Sequence, residues 1–239
     1  MVSPFFMNMQ LYYHSDLSID ILDLTEEESV HLKVLRLQIG DQISITDGKG
    51  TLAFVAIEQN KRKQWTVRIL KREYTNTPSY AIELAISPLK NNERIEWLLE
   101  KATEMGVTAF TLLPCARTER KTVNEERLRK VMISAAKQSQ HLHFPELRVV
   151  KTFSDYITEK TEAEKCIAFC GANTKPIHDC IAVGKPLRIL IGPEGDFTEE
   201  EVALSHQYGY QSVGLGESRL RSETAGLYAV AAYKFLNRL

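Results

Sequence analysis

From Ala81 onward, apolar strand-like runs alternate with amphipathic helical runs, and this alternation constrains the fold more than any other feature of the chain. "AIELAIS" precedes "NERIEWLLEKATEMG", and "TAFTLLP" precedes a helical stretch from Asn124 to about Gln140. "ELRVV", "CIAFC", "LRILIG" and "SVGL" follow, with further helices after Thr198 and up to Leu236. Such a pattern predicts an α/β fold with a mainly parallel sheet. In sheets of this kind, ligands bind at the loops that leave the carboxyl ends of the strands.

The first seventy-odd residues follow a different rule. "QLYY", "DQISITDGKGTLAFVAI" and "QWTVRILK" are rich in β-branched and aromatic residues, with Asp47-Gly48 as a hairpin signal between two alternating runs. A small β-barrel or curled sheet is expected. One helix interrupts it, with Thr25 as N-cap and Glu28 three residues on in the spacing of a capping box. "REYTNTPSY", from Arg72 to Tyr80, is polar, contains Pro78 and has no hydrophobic period. Two domains are expected on either side of it, residues 1–74 and 75–239.

Of 239 residues, 44% are hydrophobic, enough apolar material for proper cores. The apolar runs are too short and too often broken by charge to cross a bilayer, and no basic segment followed by an apolar block opens the chain. A cytoplasmic protein without a membrane partner is expected. Cys115, Cys166, Cys170 and Cys180 form no C-x-x-C pair and read as buried reduced thiols, Cys166 and Cys170 within one apolar strand-like run. His14, His31, His141, His143, His178 and His206 lack the H-E-x-x-H spacing, so no metal is expected.

The net charge of -1 conceals an uneven distribution. Between Arg117 and Lys151 there are nine Lys/Arg against four acids, a patch suited to an anionic partner or to plain solvation. On the helix from Asn124, the residues Leu128, Val131, Met132, Ala135, Ala136 and Ser139 make one buried stripe. Arg127, Lys130, Ser134, Lys137 and His141 fall on another face, in one row suited to phosphate contacts.

Three strand ends lead into glycine-containing loops: "CGANTK", "GPEGDF" and "GESRLR". Thr198-Glu199-Glu200-Glu201 forms a second capping-box pattern behind the middle one. A phosphate cradle is disfavoured, since G-x-x-x-x-G-K-[ST] and G-x-G-x-x-G are absent and Glu194, Asp196 and three further glutamates repel anions. A neutral or cationic ligand fits better, and S-adenosylmethionine (SAM) is one such ligand, its sulfonium attracted by nearby carboxylates.

"LIGPEGDFTEEE" (Leu190 to Glu201) together with "VGLGESRLRSETA" (Val213 to Ala225) resembles the paired signature of the RsmE family, SPOUT-class methyltransferases that modify N3 of a uridine in 16S ribosomal RNA. "HLKVLR" with Gly40-Asp41, "EKATEMGV" and "AAKQSQ" resemble other family segments, so the likeness covers nearly the whole chain. Asp196 stands where many members have glycine, Glu217-Ser218 replaces a proline-containing step, Arg219 replaces an aliphatic residue and Ser222 replaces threonine.

The resemblance implies an N-terminal PUA-like RNA-binding β-barrel domain and a C-terminal SPOUT-type parallel sheet threaded into a trefoil knot. It also implies a homodimer, with the small ribosomal subunit and its 16S rRNA as partner. Carried onto this sequence, the SAM-binding residues are Gly171, Ile191, Gly192, Glu194, Gly195, Leu215, Gly216, Leu220 and Thr224.

Arg221 is the expected catalytic group, stabilising negative charge on the uracil carbonyls as N3 loses its proton. Glu223 is expected either to serve as the base or, by preference, to hold Arg221 in place, since a carboxylate beside an arginine stays ionised. RNA contacts are expected from His31, Lys33 and Arg36 in the small domain and from Arg117, Arg120, Lys121 and Lys137 in the large one. The alternatives are a SPOUT methyltransferase acting on another RNA atom and a non-catalytic RNA-binding assembly factor.

Overall fold

The computed structural model of the chain describes residues 10–61, 64–120, 122–171 and 174–239; Lys121, one of the expected RNA contacts, lies outside them. Two compact units emerge from the contacts, one of residues up to Thr77 with Ala136–Phe144, the other of Pro78–Ala135 with Pro145–Leu239. Among the described residues, no helix is long and apolar enough to cross a membrane.

In the first unit the elements are β1 (Leu11–Tyr13), β2 (Ile21–Asp23), α1 (Glu26–Val34), β3 (Gln42–Thr46), β4 (Thr51–Lys61) and β5 (Gln64–Tyr74). The sheet order is β1-β3-β4-β5-β2, antiparallel apart from β1 against β3, and among the described residues the ladder does not close on itself. Strand alternation sends Ala53, Val55 and Ile57 of β4 and Trp65, Val67 and Ile69 of β5 into one core with Leu32 of α1. Register shifts at Phe54/Val55 and Ile57/Gln59 mark bulges that bend the long hairpin.

The capping box expected at α1 is half-formed. Thr25 accepts the Glu28 amide at 3.3 Å, but the Glu28 carboxylate accepts the Tyr13 amide at 3.2 Å and the Lys137 ammonium at 2.5 Å. Glu28 is buried, so its charge demands a cation more than its own helix demands a second cap.

In the second unit the elements are β6 (Ile82–Ile86), α2 (Asn92–Glu104), β7 (Ala109–Leu112), α3 (Glu125–Gln138, its last turn grouped with the first unit), β8 (Glu146–Val149) and α4 (Phe153–Ile157). They continue with β9 (Glu164–Ala168), β10 (Lys175–Pro176), a 3-10 turn (Ile177–Asp179), β11 (Leu187–Ile191), α5 (Glu199–Gln207), β12 (Gln211–Gly214) and α6 (Ser222–Leu236). The seven strands run parallel in the order β10-β12-β9-β11-β6-β7-β8.

Both faces of this sheet are covered, as parallel sheets require. Leu84, Ile86, Phe110, Leu112, Ile189 and Ile191 pack against α2 and α6, and Ala85, Leu113, Ile167 and Leu190 against α4 and α5. α6 comes very close to β6 and α2: a methyl group on Gly226 would sit 3.1 Å from Leu98 and 3.3 Å from Leu84. That approach fixes where the first turn of α6 points.

On the α4/α5 face, the register sets Glu83 of β6 directly beside Arg188 of β11. Arg188 Nε donates to Glu83 at 2.7 Å, and the other Glu83 oxygen accepts from Thr111 and Tyr156, each at 2.7 Å. Burial first, then the neighbouring carboxylate, raises the Tyr156 phenol far above its usual range, so it remains a donor to Glu83. Because Arg188 is 7% exposed in its side chain, Glu83→Ala takes away its hydrogen-bonded anion and leaves only the half-exposed Glu159 at 3.5 Å. That substitution is expected to cost about 3–5 kcal/mol in denaturant unfolding, whereas pairing Glu83→Leu with Arg188→Met should restore most of the loss.

Candidate functional site

β9, β11 and β12 are neighbours in the sheet and end at the same edge, so the loops that follow them converge. Phe169, Cys170, Gly171 and Thr174 after β9, Gly192, Pro193, Glu194 and Asp196 after β11, and Leu215 to Arg221 after β12 supply most of the wall of a cavity of about 810 Å³. Its floor is apolar: Ile191 and Val213 are buried, and Ala168, Leu215 and Leu220 pack against the same core.

The middle loop is held from several sides. A Cβ on Gly192 would meet the Phe197 ring and amide at 3.2 Å, so a larger residue there would have to push the buried Phe197 aside by a few tenths of an ångström. Thr198 and Glu201 close the complete capping box foreseen for α5, with bonds of 3.2 and 2.9 Å. The second Glu201 oxygen accepts the Ala116 amide at 2.7 Å, and Glu194 accepts the Lys90 amide at 3.1 Å.

Asp196 has φ +62°, a conformation that glycine adopts freely and that asparagine and aspartate tolerate better than other side chains. Its carboxylate accepts its neighbour Phe197's amide at 2.8 Å and the Cys170 amide at 3.2 Å, tying the middle loop to the loop after β9. Cys170 lies beyond the end of β9, exposed and on the cavity wall, which corrects its reading as a buried strand residue; Cys115, Cys166 and Cys180 are buried thiols. Although exposed, Cys170 is partly desolvated on the cavity wall, and that, then Asp196, raises its thiol above its ordinary range.

The expected cofactor residues Gly171, Ile191, Gly192, Glu194, Leu215, Gly216 and Leu220 line this cavity. Gly216 has φ +109° with open space around it, so backbone conformation alone calls for glycine. Gly195 and Thr224 are not on the wall. Gly195 faces the side chain of Arg117, 3.3 Å from where its Cβ would be, and Thr224 is exposed because successive residues of a helical turn point in different directions.

Arg221 is the N-cap of α6 and lines the cavity; among the described residues its guanidinium has no partner. Glu223 does not orient it. Residues two apart on a helix do not face each other, and the Glu223 carboxylate, 10% exposed, instead stands 3.6 Å from Nε of Arg94 on α2. Arg94, Phe169, Cys170 and Thr174 are wall residues that the sequence reading missed, although Arg94 follows the carboxyl end of β6, where the parallel-sheet rule looks for ligands.

The expected RNA contacts divide sharply. Lys33 and Arg36 are exposed, and His31 is half-buried, 3.6 Å from Glu28. Arg117 donates to the carbonyls of Gly195 (2.7 Å) and Phe197 (3.2 Å), and Arg120 to those of Thr122 (2.9 Å) and Lys90 (3.0 Å), so both serve as loop clamps. Lys137 is 9% exposed in its side chain and is committed to Glu28, which removes it as a phosphate contact. The row on α3 is likewise neutralised, Arg127 by Glu96 and Lys130 by Glu126. Among the described residues, no cluster of three His, Cys, Asp or Glu is placed to hold a metal ion.

A family described as the RNA methyltransferase domain matches residues 75–234, and one described as the RNA methyltransferase PUA domain matches residues 24–70. The chain is 30% identical to ribosomal RNA small subunit methyltransferase E of Bacillus subtilis, over 90% of each chain. Among solved structures, it resembles a probable rRNA-methyltransferase from Porphyromonas gingivalis (TM-score 0.91, 37% identity, 96% of this chain and 99% of that one). It also resembles a ribosomal RNA small subunit methyltransferase E from Neisseria gonorrhoeae bound to SAM (TM-score 0.84, 28% identity, 95% and 98%).

The tie made by Asp196 gives a ranked expectation. Asp196→Ala removes two hydrogen bonds and leaves a Cβ in the left-handed region, at about 1–2 kcal/mol; Asp196→Gly removes the same bonds but relieves the backbone. Thermal unfolding should therefore place Asp196→Ala below Asp196→Gly, and equal midpoints would remove the conformational part of the argument.

Proposed function

The chain belongs to the ribosomal RNA small subunit methyltransferase E family, and on that premise we propose that it methylates N3 of a uridine in 16S ribosomal RNA with SAM as methyl donor. The single observation that carries this reading is the cavity at the ends of β9, β11 and β12, with its apolar floor and charged rim. Its volume of about 810 Å³ suits a ligand of that size. The floor of Ile191, Val213, Leu215 and Leu220 suits a flat base, and the carboxylates of Glu194, Asp196 and Glu217 suit a cationic centre.

When bound, SAM supplies an electrophilic methyl group for an in-line displacement. The chain's own residues do the rest. Uracil N3 is paired in duplex RNA, so the base must be unpaired or flipped to enter the cavity. Arg221, with a free fork of donors, stabilises the charge that spreads over the uracil carbonyls as the N3 proton passes to solvent water and N3 takes the methyl group from the sulfur, which leaves as the neutral thioether.

The same reading assigns RNA binding to the first unit, with exposed Lys33 and Arg36 as phosphate contacts and His31 beside them. It also includes a trefoil knot and a homodimer in the cytoplasm. Favouring the knot, β12 lies between β9 and β10 in the sheet, although β9 and β10 are successive strands along the chain. Favouring the dimer, α6 exposes Tyr228 and Phe235, seven residues apart on one stripe, and α2 exposes Trp97.

Deletion of the gene should abolish 3-methyluridine in 16S RNA, read by nucleoside mass spectrometry, and the wild-type gene should restore it. Arg221→Ala should lower turnover about 100- to 1,000-fold with SAM affinity nearly intact; normal turnover would remove Arg221 from the mechanism. Phe235→Glu should shift the sedimentation equilibrium from dimer to monomer, and an unchanged mass would exclude that stripe from the interface.

A further inference from the structure

Most arginines of the second unit are occupied. Arg117 and Arg120 clamp loop carbonyls, Arg127 pairs with Glu96, Arg129 donates to the Leu147 carbonyl, and Arg148 and Arg188 meet Glu159 and Glu83. Three arginines line the cavity: Arg94, Arg219 and Arg221. Arg94 differs from the other two in having an anchor. Glu223 is almost wholly buried, so its carboxylate needs a cation, and the one beside it is Arg94, through Nε at 3.6 Å.

That contact uses one edge of the guanidinium only. Among the described residues, the terminal nitrogens have no partner, and the side chain is 36% exposed on the cavity wall. A guanidinium paired at Nε with a buried carboxylate, on a cavity wall and with its terminal nitrogens unpartnered among the described residues, can receive a planar or tetrahedral oxyanion in bidentate fashion.

The surrounding charges bear on which oxyanion that is. The nearby acids are engaged: Glu194 with the Lys90 amide, and Asp196 with the Phe197 and Cys170 amides. Neither supplies the missing partner. Arg94 sits on α2, outside the three loops, and its side chain is exposed enough to meet a macromolecule.

We propose that Arg94 is a substrate-binding residue, held by Glu223 at Nε so that its terminal nitrogens take a backbone phosphate of the RNA strand whose base enters the cavity. The proposal rests on the RNA methyltransferase reading given above. It makes Glu223 a positioning residue that acts through Arg94.

The test uses the full-length protein, 16S RNA or small subunits as substrate, and three readouts: KM and kcat for the RNA, calorimetric SAM affinity, and the salt dependence of RNA binding. Arg94→Ala should raise the RNA KM about tenfold with kcat and SAM affinity little changed. It should also make the slope of log K against log[salt] shallower by about one. Arg94→Lys should keep the slope while binding more weakly, since it keeps the charge and loses the fork.

Because Arg94→Ala leaves a buried carboxylate unpaired, the double variant Arg94→Ala with Glu223→Gln is compared for thermal stability; it should recover the melting temperature and still lack the salt increment. An unchanged slope and RNA KM in a folded variant would overturn the proposal. So would a tenfold loss of SAM affinity, which would place Arg94 on the carboxylate of the methyl donor. A wild-type protein that neither binds SAM nor methylates RNA would instead sink the functional reading, and the two failures are thereby separate.

Discussion

The insertion of β12 between β9 and β10 is the constraint on which the rest of the second unit depends. It puts three carboxyl-terminal strand ends side by side, although the segments that form them are separated by β10, a 3-10 turn and α5 along the chain. Parallel strands carry their slanted hydrogen bonds to neighbours on both sides, so each end is fixed to within the register of the ladder. The loops inherit that precision. A cavity assembled from three loops needs such a rigid base, since loops alone carry too few buried contacts to hold a shape.

Charge is used economically around this base. The acids of the middle loop and the start of α5 look, from their composition, like a device for attracting a cation. Glu194, Asp196 and Glu201 each accept backbone amides, and Arg117 closes the same loop by donating to two carbonyls. Backbone amides and carbonyls at a turn that lacks regular partners are costly to leave unsatisfied, and these side chains satisfy them. The negative field at the cavity wall is then a by-product of loop architecture that a sulfonium can still use. On the opposite account, the cations left unspent at the wall are arginines, so the site combines a carboxylate-lined side with a guanidinium-lined side.

Glu83 and Arg188 show a second economy. A charged pair at the middle of a sheet is a poor source of stability compared with apolar packing, yet once one charge is present the other cannot be removed. Thr111 and Tyr156 donate to Glu83, and Glu159 lies close to Arg188, so the carboxylate is fully occupied. The α4/α5 face of the sheet thus carries a polar network, while the α2/α6 face is held by aliphatic packing so close that a methyl group at Gly226 would have to displace Leu98 and Leu84 by a few tenths of an ångström.

Much of the architecture could be read from residue order alone. The alternation after Ala81 follows from the two periods of buried side chains, the stripe from Leu128 to Ala136 from the helical one, and the Thr198 cap from a local hydrogen bond; each is a matter of residues within one or two turns of each other. The two-residue β10 and the five-residue α4 were not legible, because neither is long enough to show a period. The family signature added the identity of the loops, and even the departure at Asp196 has a local reason in its left-handed backbone. What residue order could not decide was which charge meets which. Glu223 faces Arg94 instead of Arg221, Glu28 takes Lys137 instead of completing its own cap, and Arg117 serves the Gly195 loop instead of solvent. Short-range patterns specify elements because the chain itself fixes the distances involved, whereas an ion pair depends on helix phase and strand order, and those exist only once the elements have packed.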